Sequence, residues 1–261
     1  MKPFTKKQMD QRIQHVSDML NDALEGKEKF IKKKKQEPWT DDKGSTTDFI
    51  IEDCYRSGKL SFALNSDVNF FRAQALEGFK LRMELIKRYN KQESINILHV
   101  STYRIKDVQT LLSLSLFEEA KQLAESLIES YDYDSQQTAE PTTAMYYAYR
   151  GLVAGLPDLY ERLDKLAIET AKEKPGALKK FYESFYFIFT GIVKNDATGF
   201  EHHFPNLTYY YNRKRVEKFN NGEILFNVLG LLNLARYRGL DVEFENTFIP
   251  KELWAPVNTN N

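Results

Sequence analysis

Residues 223–254 read EILFNVLGLLNLARYRGLDVEFENTFIPKELW, the most apolar stretch of the chain. Ile224, Leu225, Phe226, Val228, Leu229, Leu231, Leu232, Leu234 and Ala235 leave no wide polar face, so a helix here must be covered by other helices on nearly every side. Arg236 and Arg238 followed by Gly239 form the expected stop, with cations at the carbonyl end of the dipole and then a residue free to take φ > 0. Residues 241–244 alternate polar and apolar, placing Val242 and Phe244 on one side. Pro250 then suits a short turn that brings Leu253 and Trp254 back onto the core. A helix buried all round requires a helical array to bury it, and no residue in the stretch has an obvious chemical role.

Working back from this helix, residues 107–114 and 117–131 read as two helical arms joined by a very short turn. The layout recurs at 144–156 with 158–172, and at 178–194 with 197–213, where Asn195-Asp196 supplies turn and cap. The first aromatics of the second arms, Phe117, Tyr160 and Phe200, are spaced by 43 and 40 residues, within the range of helical-hairpin repeats. Residue identities repeat poorly. The expected fold is all-α, an irregular array of antiparallel helical hairpins with a short extended C-terminal segment. Nearer the N-terminus, residues 5–35 carry Met9, Ile13, Val16, Leu20, Leu24 and Ile31 as one narrow apolar stripe of a surface helix. Residues 48–64 and 67–89 are two more helices, the second capped by Ser66 or Asp67. The corresponding division is an N-terminal helix over 1–36, a polar loop over 37–47 and the array over 48–261.

With 42% apolar residues over 261 positions, the chain can bury roughly three quarters of its unfolded surface. Thirty-seven basic and 37 acidic residues cancel, which disfavours a body-wide nucleic-acid binder. A single cysteine, Cys54, excludes an internal disulfide and a multi-cysteine metal site and fits a cytoplasmic location. The start MKPFTKKQMDQRIQ has charge without an apolar run, so no secretory signal is expected. The densest other apolar run, 181–193, includes Glu183 and is shorter than the roughly 20 residues a membrane span needs, so no membrane contact is expected.

Candidate motifs each have a plain structural reading. Gly151-Leu-Val-Ala-Gly155 has small-residue spacing, but between Arg150 and Asp158 it marks a tight soluble helix contact. His202 and His203 point about 100° apart on a helix and cannot share a metal as an i, i+4 pair does; His15 and His99 have no companion ligands. Cys54 has no neighbouring His and reads as a small buried hydrophobe. Lys32 to Lys35 is a solvated helix end, and Tyr209-Tyr210-Tyr211 with Arg213, Lys214 and Arg215 is the best nucleic-acid candidate, although consecutive tyrosines cannot share one face. No phosphate loop, nucleophile elbow or acid/base carboxylate pair is present, so neither an enzyme nor a cofactor is expected; a site assembled from distant residues lies beyond sequence reading.

Charge is unevenly spread: residues 114–174 carry 6 basic and 12 acidic groups, which makes the middle of the array acidic. Within it Glu118, Glu119, Glu125, Glu129, Asp132 and Asp134 cluster with Tyr131 and Tyr133. A solvated face is the plain reading; the functional one is a docking surface for a basic partner, with tyrosines as anchors and carboxylates for steering.

The pattern Leu231-Leu-Asn-Leu-Ala-Arg-Tyr-Arg-Gly-Leu-Asp-Val-Glu-Phe-Glu, continuing to Phe248-Ile-Pro-Lys-Glu-Leu253, resembles the end of bacterial immunity protein family forty-nine from polymorphic toxin systems. The segment from Phe70-Phe-Arg-Ala to Leu85 resembles that family's earlier aromatic-rich helix. The resemblance implies an all-helical protein that binds a cognate toxin and occludes its active site, and it brings no catalytic residues. A basic nuclease is the toxin class that the acidic surface would suit. The alternative is a helical-repeat adaptor or sensor that binds peptides in an open groove.

Overall fold

The computed structural model describes residues 6–216, 225–244 and 249–257. The described residues form eleven α-helices and four short 3-10 turns, with no strand among them. They are α1 Lys6–Gln36, α2 Ser45–Asn65, α3 Val68–Asn90, α4 Ile105–Ser113, α5 Phe117–Ser126, α6 Tyr131–Gln137, α7 Glu140–Ala154, α8 Leu159–Ala171, α9 Ala177–Lys194, α10 Ala197–Val216 and α11 Phe226–Tyr237. They divide into two compact units, one ending at His99 and the other beginning at Val100. This division replaces the expected boundary after the N-terminal helix, because α1 packs on α2 and α2 on α3.

In the N-terminal unit, Phe30 stacks on Phe49 with ring centroids 4.9 Å apart, and Lys27 of α1 reaches Gln74 and Glu77 of α3. The stretch expected to be a polar loop is tighter than its composition suggests. Pro38 starts a 3-10 turn to Asp41, and the Asp41 carboxylate takes the Thr47 amide and hydroxyl, each at 2.7 Å, which holds the α2 start in place. Helix α2 therefore begins at Ser45, three residues before its apolar pattern starts.

The second unit contains the expected hairpins: α4 packs on α5, α7 on α8 and α9 on α10. Their turns share one backbone device. Ser115, Gly155 and Asn195 all have positive φ (58°, 67° and 54°) and lie 40 residues apart. The amide after each one donates back across the turn, Leu116 to Leu111, Leu156 to Gly151 and Asp196 to Gly191, at 2.8–3.0 Å. This is the six-to-one bond of a Schellman ending. The period that side chains blur is regular in the main chain.

The 117–131 helix is shorter than expected. It stops at Ser126, Leu127 turns extended, and Ile128 forms a parallel bridge with Ser101 before α6 begins. The non-local bonds Ile128 N to Val100 O and Thr102 N to Ile128 O outcompete another helical turn. Helix α7 begins four residues before the expected 144, at Glu140, with Pro141 in its first turn, where a missing amide proton costs nothing.

Helix α11 is the core helix foreseen: Val228 to Ala235 is buried without a break. Each fully buried Leu there is worth roughly 1.5–3 kcal/mol of transfer free energy. Gly230 lets α11 approach α4 so closely that a Cβ would meet the Gln109 carbonyl at 2.8 Å. Buried Asn233 donates to the carbonyls of Leu112, Ser113 and Leu253 and accepts the Ala255 amide. Arg236 holds the Val242 and Ala255 carbonyls, both at 2.7 Å. The C-terminal segment is thereby fastened across α11. Gly239 ends the helix at φ 89°, and Val242 and Phe244 turn inward, Phe244 against Phe204 with centroids 5.1 Å apart.

Candidate functional site

The acidic cluster on α5 and α6 is sorted by the Ile128 bridge into an internal part and an outward part. Asp134 is buried and accepts the Ser101 hydroxyl at 2.7 Å and the Tyr147 hydroxyl at 2.9 Å. It is a framework residue and cannot serve as the surface contact that the sequence suggested. Burial raises its carboxyl above the usual range, against the pull of those hydrogen bonds. Glu129 bridges Arg150 and Arg162, the latter at 2.7 Å, while Arg150 also caps the end of α5 through the Ala124 and Glu125 carbonyls. Burial lowers the Arg150 guanidinium to about 10, with Arg162 nearby adding to the effect. Tyr131 is half-buried, donating to Glu140 at 2.7 Å and lying edge-on to Tyr147. Burial, then the Glu140 contact, raises its phenol.

Glu118, Glu119, Glu125, Asp132 and Tyr133 remain. Glu118, Glu125 and Asp132 are exposed, Glu119 and Tyr133 half-buried, and the Lys121 ammonium lies 3.9 Å from Glu125. Glu118 and half-buried Glu119 in the first turn of α5, and Asp132 in that of α6, sit where a helix N-terminus favours negative charge. Glu118 and Asp132 are open to solvent there.

The structure assembles a second polar centre in the N-terminal unit from residues that the sequence does not link. Asp48, one turn into α2, binds Arg82 of α3 at 2.6 Å and His99 Nδ1 at 2.9 Å. Arg82, with no side-chain exposure, also donates to the His99 carbonyl at 2.6 Å. His99 Nε2 lies 3.3 Å from the Ser45 hydroxyl. Only the i, i+3 spacing of Ser45 and Asp48 after Gly44 could have signalled this; His99 arrives from 54 positions away. A neighbouring network joins Asp41 to Thr47, Arg88 at 2.8 Å and Lys34 at 3.2 Å. Lys34 of the basic run is thus tied down, while Lys32, Lys33 and Lys35 stay exposed.

Among the described residues no group of three or more His, Cys, Asp or Glu could hold a metal. His202 and His203 lie edge-to-face, and His203 stacks on Phe187 at 4.2 Å. Cys54 is fully buried, and burial pushes its thiol up to about 12, so it is no nucleophile at neutral pH. Gly151 brings α7 against Arg162 and Leu159, the tight contact expected, whereas Gly155 serves its turn. No described helix is long and apolar enough to cross a membrane. The side chains of Tyr209 to Tyr211 and of Arg213, Lys214 and Arg215 lie outside the described residues. No family model, curated protein or solved structure matches the chain.

Proposed function

We propose that this protein is an immunity protein that binds a cognate bacterial toxin in the cytoplasm and occludes its active site, with the α5–α6 face as the docking surface. The reading rests on Glu118, Glu119, Glu125, Asp132 and Tyr133 of α5 and α6, of which Glu118, Glu125 and Asp132 are exposed and Glu119 and Tyr133 half-buried. Steering charge next to an aromatic anchor is how a small protein captures a basic partner quickly and tightly. The resemblance of residues 231–253 to immunity family forty-nine supports the same reading. A peptide-binding adaptor would need an open groove, and along α11 the surface is instead occupied by residues 249–255, held by Asn233 and Arg236.

The decisive experiment is co-expression with the product of any toxin-like gene found beside its own. Rescue of growth and a complex surviving size-exclusion chromatography are expected. A toxin that neither binds nor is neutralised would remove the reading.

A further inference from the structure

We propose that Ser45 is the nucleophile of an acyl-hydrolase centre in the N-terminal unit, with His99 as its general base and Asp48 as the residue that positions His99. The order of contacts is that of a serine hydrolase. Asp48 Oδ2 lies 2.9 Å from His99 Nδ1, and with the ring proton on that side Nε2 is the acceptor for the Ser45 hydroxyl. The Ser45 hydroxyl lies 3.3 Å from Nε2, a separation of the kind that tightens when substrate binds. Arg82 fixes Asp48 from its other oxygen and grips the His99 carbonyl, so imidazole and carboxylate are held from both ends.

The backbone supplies the remaining element. Ser45 is the first residue of α2, after Gly44 at φ 80°, where a Cβ would meet Leu85 at 2.9 Å, so glycine is required for this turn. Thr47 gives its amide to Asp41, and the Asp48 amide goes to the Gly44 carbonyl. The Ser45 and Thr46 amides find no acceptor among the described residues and stand at the positive end of the α2 dipole. Those donors suit a developing oxyanion. Ser45 itself is half-exposed, while Asp48 and His99 are buried.

In the proposed cycle, Ser45 Oγ attacks an ester carbonyl carbon and its proton passes to His99 Nε2. The tetrahedral intermediate collapses, the alkoxide leaves and takes that proton, and an acyl-Ser45 ester remains. A water then loses a proton to His99 and attacks the acyl carbon. Release of the carboxylic acid returns the proton to Ser45, so ester and water become acid and alcohol. The described groove of about 450 Å³ is lined by Ile31, Lys34, Lys35, Ile50, Glu77 and Leu81 and not by Ser45. The half-exposed Ser45 hydroxyl is open to a small acyl ester such as an acetyl ester.

The test is reaction of the full chain with a small-alkyl fluorophosphonate, with peptide mass spectrometry to locate the adduct, and with p-nitrophenyl acetate turnover. The expected result is a single adduct on Ser45 and ester hydrolysis that falls to the uncatalysed background in Ser45→Ala. A folded wild-type chain that takes no adduct, or takes it elsewhere, overturns the proposal, as does turnover undiminished in Ser45→Ala. The adduct site is read on the wild-type chain, so the outcome does not depend on the variant folding. Toxin binding belongs to α5–α6 and is measured separately, so either reading can fail alone.

Discussion

Asp41 shows how one side chain can fix a helix start and make a whole unit sensitive to acid. Burial alone would raise its carboxyl. The Thr47 hydroxyl and amide and the charges of Lys34 and Arg88 outweigh that and hold it below the ordinary 3.8. A depressed folded pKa stabilises the protein above the unfolded value, and the contribution is lost as pH falls through the folded one. Stability should therefore decline as pH drops below about 4, and Asp41→Asn should make that decline shallower while lowering stability at neutral pH. Urea unfolding followed by circular dichroism from pH 3 to 7 would check the slope. None of this network was visible in the sequence, since Asp41 read as a loop residue. The same holds for Asp48 and His99, because a partner that arrives from another helix leaves no local pattern. Cys54 was legible, because a lone cysteine with no neighbouring His reads as a small buried hydrophobe.

At the scale of the element, helices were readable wherever apolar spacing set them, and errors clustered where a non-local bond intervened. Helix α5 ends early because Ile128 prefers the Val100 carbonyl to its own helix. Helix α6 was missed, since the expected helix ended at Tyr131, where α6 begins, and Asp132 and Asp134 look the same in sequence whether they face water or Ser101. The hairpin turns make a sharper point. Asn195 read as a turn residue, but Gly155 read as part of a small-residue helix contact, and Ser115, which takes the same conformation, gave no signal. An L side chain in the left-handed region costs roughly 1–2 kcal/mol, less for asparagine. Nothing lies within 4 Å of a Cβ built on Gly155, so Gly155→Ala should cost about 1 kcal/mol from the backbone alone. Ser115→Gly should gain up to about 1 kcal/mol. Chemical denaturation of the two variants would check both signs, and a stabilised Gly155→Ala would show that the turn is not held in this conformation.

For the molecule as a whole, fold class followed from the 223–254 stretch, because a helix apolar on every side leaves no other architecture. The docking face was only partly legible: composition located the acidic segment, while packing decided that Asp134 is buried and that Glu129 and Tyr131 are tied to Arg150, Arg162 and Glu140. If the outward set steers a basic toxin, Glu118→Lys combined with Asp132→Lys should slow association about tenfold at low salt and flatten its dependence on ionic strength, with dissociation little changed. Stopped-flow binding at several salt concentrations would check this, and unchanged association rates would reject the face.

The spacing of Ser115, Gly155 and Asn195 also bears on how such a chain can change length. Excising residues 116–155 would join two peptide units that already share a backbone state, and duplicating them would do the same.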